Sequence, residues 1–203
     1  MPILIKKPLT ILFKVKQGFT LIELLIVITI IGILASLTLA SYGNAQAKGR
    51  DGVRKSDLAQ IKRALELAKA DCTGSAWYPK WAGTDTATLT TAQSDYDTMI
   101  SYLANANLNY ISGTIEDPKK DQTAGQKYGY WTKGTSAGVC PDTLVPTGFT
   151  QPGASSYVLS VKLERTADND AVQARSKCAG KPGSGGIPPN GWNDNGYYVI
   201  CNN

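Results

Sequence analysis

Residues 19–40 read FTLIELLIVITIIGILASLTLA, twenty-two positions with a single ionisable side chain, Glu23. As a helix, at about 1.5 Å per residue, this run reaches roughly 33 Å, enough to cross the hydrocarbon core of a bilayer. A soluble protein seldom makes a helix apolar on every face for so long, so a buried core helix is the weaker reading. The preceding flank carries Lys6, Lys7, Lys14 and Lys16 and no acid. That bias places the N-terminus on the cytoplasmic side and the rest of the chain outside.

Outside the cytoplasm cysteines oxidise, and Cys72, Cys140, Cys178 and Cys201 therefore read as two disulfides. Four cysteines allow three pairings. Cys178 and Cys201 bracket the Gly/Pro-rich stretch AGKPGSGGIPPNGWNDNG, which has little apolar content and gains most from a staple, leaving Cys72 to pair with Cys140. No C-x-x-C is present, which argues against a zinc ribbon or a thioredoxin-type site. There is also no histidine in the 203 residues, which removes the commonest general base and metal ligand.

After the apolar run the pattern becomes amphipathic. Leu58, Ile61, Leu65 and Ala68 recur at spacings of three and four, and residues 48–69 hold seven cations against three acids. No proline intervenes, so this segment continues the apolar helix, with a soft neck at 43–52 where Gly43, Gly49 and Gly52 weaken helix formation. Residues 73–95 read as a loop in which Trp77, Tyr78 and Trp81 pack against something. A short helix is expected over 94–104, capped by Ser94 or Asp95, with Tyr96, Met99, Ile100 and Leu103 as its apolar stripe. Strands are expected at 127–133, 156–164 and 197–201. In the middle one Tyr157, Leu159, Val161 and Leu163 alternate with Val158, Ser160, Lys162 and Glu164.

The junction Lys16, Gln17, Gly18, Phe19, Thr20, Leu21, Ile22, Glu23 ends a basic leader on glycine and sets one carboxylate inside lipid-compatible helix. Such a carboxylate is expensive in a membrane and needs a cationic partner. A free α-amino group, created by a cut after Gly18, would supply one. The run GFTLIELLIVITIIGILASL closely resembles the N-terminal motif of the type IV pilins, a family that includes pilus subunits and the pseudopilins of type II secretion. The resemblance implies cleavage between Gly18 and Phe19 by a membrane-embedded prepilin peptidase and N-methylation of Phe19. It also implies that Glu23 meets the amino group of a neighbouring subunit's Phe19.

Downstream, RKSDLAQIKRALELAKAD, WYP, DP, YGYW and YVLSVKLE look like the head of the G-type pseudopilins and related pilins. The implied fold is α+β, a long N-terminal helix packed on a small antiparallel sheet. The implied organisation is a removed cytoplasmic leader at 1–18, a transmembrane or filament-core helix at 19–40, its amphipathic half at 41–71 and an extracytoplasmic head at 72–203. Partners implied are copies of the chain itself in a helical homopolymer, minor pilins or pseudopilins, the prepilin peptidase, an inner-membrane assembly platform, and the membrane before assembly. Many relatives have proline where this chain has Ala40, and the 18-residue leader is long for the family. G-type pseudopilins often hold calcium in a C-terminal loop. Asp168, Asp170 and Asp194 are the carboxylates available here, but EF-hand spacing is absent and no cofactor is expected.

Three other readings compete. Ala45-Gln46-Ala47 resembles a signal-peptidase site, which would release a soluble secreted protein, but the apolar region is too long for a signal peptide and contains Glu23. Asp95 with Asp97, or Asp168 with Asp170, would be the carboxylate pair of an enzyme, yet no G-x-S-x-G, H-E-x-x-H or complete P-loop accompanies them. The basic stretch 48–69 invites DNA, although a solvated or inter-subunit face accounts for it more simply. Removing the leader takes four lysines, so the charge falls from 21 minus 16 to 17 minus 16. The remainder is segregated, 7 minus 3 over 48–69 and 10 minus 12 from residue 70 onward, a polarity suited to one subunit's neck lying near the next one's head.

Overall fold

The computed structural model describes residues 18–74, 77–80, 89–105, 107–113, 115–119, 128–140, 153–182 and 196–202. In chain order the elements are α1 (Leu21–Ala70), α2 (Leu89–Leu103), β1 (Gly129–Lys133), β2 (Ser156–Lys162), α3 (Asn169–Lys177) and β3 (Tyr197–Cys201), the α+β arrangement expected. The chain divides into two compact units, Met1–Gly43 and Asn44–Asn203.

In the first unit no large apolar side chain of α1 between Leu21 and Leu39 is buried: they are 49–85% exposed. Its hydroxyls turn back onto the helix, Thr29 to Ile26 O, Ser36 to Ile33 O and Thr38 to Ala35 O at 2.7, 2.7 and 2.9 Å. Those three donors are answered without water, which is what a hydrocarbon or filament-core environment requires. Gly43, Gly49 and Gly52 all lie within α1, and a Cβ on any of them would meet nothing within 4 Å.

In the second unit the periodic residues Leu58, Ile61, Leu65 and Ala68 are buried against an antiparallel sheet of order β1-β2-β3. The register aligns Tyr130 with Leu159 and Leu159 with Ile200, so these side chains share the face toward α1. Tyr157 and Val161 join them, and Tyr157 meets Tyr78 edge-on at 4.5 Å. The opposite face carries Trp131, Val158 and Val199 in a second cluster with Cys178 and Ala92. Both faces of β2 are therefore covered: Val158 and Ser160 are buried like Leu159, because α3 and Cys178 cover that side and the Trp131 indole donates to Ser160 Oγ at 2.8 Å.

β2 ends at Lys162, not 164, because the Glu164 amide turns out of the ladder to donate to Asp51. β1 begins at Gly129, and the expected residue 127 lies outside the described residues. Tyr128, just before it, stacks on Tyr96 at 5.1 Å.

Helix α2 starts five residues before the expected position, so Ser94 and Asp95 are interior residues and not caps. The added turn brings Ala92 into the second cluster, where a Cβ on Gly129 would touch it. Its stripe of Tyr96, Met99, Ile100 and Leu103 is buried as its spacing predicts. Helix α3 was not expected, since it buries only Ala171 and Arg175. Its signals are polar: Asp168 caps it by accepting from the Ala171 amide, Asp170 sits in the first turn, and Arg175 and Lys177 in the last.

Trp77 and Tyr78 are fully buried, as their setting in a polar loop suggested, and Tyr78 bridges to Ala154 through paired backbone bonds of 3.1 and 2.9 Å. Trp81 lies outside the described residues.

Candidate assembly site and the α1 clamp

At the start of α1, Gly18 and Phe19 are exposed and precede the first helical turn. Thr20 and Glu23 form a capping box. The Thr20 amide and hydroxyl both donate to Glu23 Oε2, at 2.8 and 2.7 Å, and the Glu23 amide reaches back to Thr20 Oγ1 at 3.3 Å. The sequence reading took Glu23 as a lone charge and missed this local partner, although the T-x-x-E spacing was its signal. Only one carboxylate oxygen is used. Glu23 Oε1 has no partner among the described residues, which leaves it able to accept from an incoming ammonium group.

Along the second half of α1, Arg50, Asp51, Arg54 and Lys55 hold three separate stretches of the chain. Arg50 pairs both oxygens of Glu164 at 2.6 Å each. Arg54, its side chain 1% exposed, pairs both oxygens of Asp117 at 2.7 and 2.9 Å and also reaches Asp51 and Glu164 at 2.9 and 3.0 Å. Asp51 in turn accepts the Glu164 and Arg165 amides at 2.9 and 3.1 Å. Lys55 binds Asp168 and Asp170 at 2.7 and 2.9 Å, tying the start of α3 to α1.

Arg50, with Arg54, holds Glu164 at about 2, against the opposing push of burial. Burial works to lower the Arg54 value, but its three carboxylates outweigh it and the guanidinium is held above its ordinary range. Burial likewise pushes Asp168 up, and the bonds from Lys55 and the Ala171 amide bring it below the usual carboxylate range.

These contacts bear on the basic stretch 48–69. Arg50, Arg54, Lys55 and Lys69 are in ion pairs and Lys62 donates to Cys201 O, so five of its seven cations have partners within the subunit. Asp117, Glu164, Asp168 and Asp170 are engaged by the same contacts, so four of the twelve head acids expected to face a neighbouring subunit's neck are paired with the neck of their own. Asp168 and Asp170, weighed for calcium and as an enzyme's carboxylate pair, both accept from Lys55, and Asp194 lies outside the described residues. Asp95 is buried and Asp97 exposed on α2. Ala45, Gln46 and Ala47, weighed as a signal-peptidase site, lie within α1. Disulfides join Cys72 to Cys140 and Cys178 to Cys201. The second ties the end of α3 to the end of β3.

The family described as the prokaryotic N-terminal methylation motif matches residues 13–39, the stretch that contains Gly18, Phe19 and Glu23. A fimbrial protein of Dichelobacter nodosus is 30% identical over 126 residues, covering 56% of this chain and 79% of that protein. Two forms of the type IV major fimbrial protein FimA of the same organism are 43% and 39% identical over 62 and 63 residues, 30% of this chain and 39% of theirs. Against those forms the chain spans about two fifths of their length. No solved structure matches the chain. A methylation motif opening a long, unburied apolar helix, a small antiparallel sheet packed on that helix's second half, and a fimbrial relative matched over most of its length together place this chain in the type IV pilin family.

Proposed function

We propose that this pilin is made as a precursor anchored in the inner membrane by residues 19–40, with the leader 1–18 in the cytoplasm. A prepilin peptidase cuts between Gly18 and Phe19, Phe19 is N-methylated, and the mature chain polymerises into a surface fibre. In this reading residues 41–71 continue the helix and 72–203 form the head. The assembly platform and minor pilins take part, and the relatives named as fimbrial proteins favour a pilus over a secretion pseudopilus.

The observation that carries this reading is the half-used carboxylate of Glu23. The capping box fixes the side chain by one oxygen and leaves the other open, within an otherwise apolar helix. A neighbouring Phe19 ammonium at about 4 Å is attracted several-fold more strongly at an effective dielectric near 20 than in water. That difference registers one subunit against the next only once both are withdrawn from solvent.

Two substitutions test it. Glu23→Ala should be cut and membrane-inserted, as read by mass spectrometry of the mature N-terminus, but give few filaments by electron microscopy; normal filaments would remove the role assigned to Glu23. Gly18→Leu should accumulate uncut precursor, and normal processing would move the cleavage site. Detection of this chain in surface fibres of its host separates a pilus from a short secretion piston.

A further inference from the structure

The α1 clamp leaves two groups of charge unmatched, one beside each outer strand of the sheet. α2 packs against β1 and α3 against β3, the two ends of the order β1-β2-β3. On the α2 side Asp57, Asp71, Asp97 and Glu116 have no cationic partner among the described residues. Asp57 accepts from the Tyr128 hydroxyl at 2.6 Å, and Asp71 from that of Tyr110. Tyr96 of α2 stacks on Tyr128 and donates to Ile115 O, next to Glu116. Burial first, and then the charges of Asp57, Asp97, Asp117 and Glu116, hold the Tyr96 hydroxyl above its ordinary value, so these carboxylates share one neighbourhood. Asp117 is held by Arg54, and against the others stands Lys119, whose amide donates to Asp117.

The α3 side is the reverse. Its acids Glu164, Asp168 and Asp170 are bound by Arg50, Arg54 and Lys55. Arg165 before α3, Lys177 at its end and Lys181 beyond have no ion pair among the described residues, and Arg165 and Lys177 are exposed. An acidic flank and a basic flank beside opposite strands cannot answer one another within one head. A contact that joins either flank to its own kind sets like charge against like. A polyanion such as nucleic acid would satisfy the α3 flank and leave the α2 carboxylates unanswered. Copies of this chain placed head to tail answer both.

We propose that the α2 flank of one subunit, through Asp97 and Glu116, meets the α3 flank of a second copy, through Lys177 and Lys181. This contact rests on the filament reading proposed above and adds to it the residues that set neighbouring heads against each other. Each subunit presents a different flank on each side, so the contact stays open at both ends and propagates as a helical polymer does. Exposed ion pairs are individually weak, but these recur at every subunit and act together.

The test expresses the full chain in its host and counts surface fibres by electron microscopy. Asp97→Lys with Glu116→Lys should cut fibre number about tenfold, and Lys177→Glu with Lys181→Glu should do the same, because each sets like charges against each other. Both should keep the mature N-terminus by mass spectrometry and the wild-type Tm in detergent, since none of these side chains is buried. The chain carrying all of these substitutions exchanges the signs of the two flanks and should recover wild-type fibre number. Undiminished fibres from either double variant, or no recovery in the combined one, would overturn the contact. Loss confined to the lysine variant would assign the α3 flank to a different, anionic partner and overturn it too. Absence of fibres from the wild-type chain would instead overturn the filament reading beneath it.

Discussion

Arg54 grips both carboxylate oxygens of Asp117, at 2.7 and 2.9 Å, across 63 positions of sequence and with its own side chain 1% exposed. The same guanidinium reaches Asp51 and Glu164, so one α1 residue fastens both the segment around Asp117 and the turn that follows β2. Bidentate geometry suits arginine because its donors form a rigid planar fork.

Replacing Arg54 by Met would leave Asp51 and Asp117 shielded without their principal cation. The expected loss is about 3–5 kcal/mol, typical of breaking one side of a buried ion pair. Arg54→Lys should recover only part of it, since an ammonium cannot pair both Asp117 oxygens in that geometry. Urea unfolding of the full chain in detergent, followed by tryptophan fluorescence, measures both, and equal stability of Lys and Arg at this position would refute the fork.

The clamp should respond to acid. Glu164 is held at about 2, well under its ordinary value of 4.5, by Arg50 and Arg54. A carboxylate with a depressed folded value stabilises the fold above its unfolded value and loses that contribution as pH falls toward the folded one. The gap in Tm between the wild-type chain and Glu164→Gln should thus be widest above about pH 4.5 and close by about pH 2. A gap independent of pH would show that Glu164 acts through shape and not through charge.

Gly153 supports Trp77. A Cβ there would stand 2.5 and 2.6 Å from the Trp77 ring atoms Nε1 and Cε2 and 2.6 Å from Tyr78 O, none of them the end of a flexible chain. Gly153→Ala should cost about 1–3 kcal/mol, the usual range for overpacking, and shift the near-ultraviolet circular dichroism of tryptophan. Gly180→Ala is a useful contrast: its φ of 79° makes alanine strained, but a Cβ there meets nothing within 4 Å. It should lower stability without altering the tryptophan signal.

The two disulfides close loops of different size, with sequence separations of 68 for Cys72–Cys140 and 23 for Cys178–Cys201. Chain entropy alone assigns them about 4 and about 3 kcal/mol. Paired Cys→Ser variants, unfolded in urea, should follow that order. The reverse order would mean that contacts made by the α3 to β3 staple in the folded state outweigh loop entropy.

Much of this protein could be read locally. The all-round apolar run 19–40, the basic flank before it and the glycine at the proposed cut site are local signals, and each can be read without knowledge of the fold. The spacing of Leu58, Ile61, Leu65 and Ala68 likewise gave the buried face of α1, because one helical period suffices to define it. β3 was legible as a run of four aromatic and β-branched residues before Cys201, bounded by Gly196.

Other features depend on residues that are distant in sequence and adjacent in space. The alternation of β2 divided its residues between two faces, and only the packing of Trp131, Val199 and Cys178 shows that the second face is covered as well as the first. Arg50, Arg54 and Lys55 looked like a solvated or partner-facing stripe, since charge count carries no information about where Asp117, Glu164 and Asp168 return to meet them. Sequence by itself determined what requires only neighbours along the chain: the membrane-length helix, the methylation motif that opens it and the amphipathic period that follows. Tertiary structure alone decided which charges are shielded and paired and that both faces of β2 are covered, because desolvation and hydrogen bonding depend on what other segments bring to the same place.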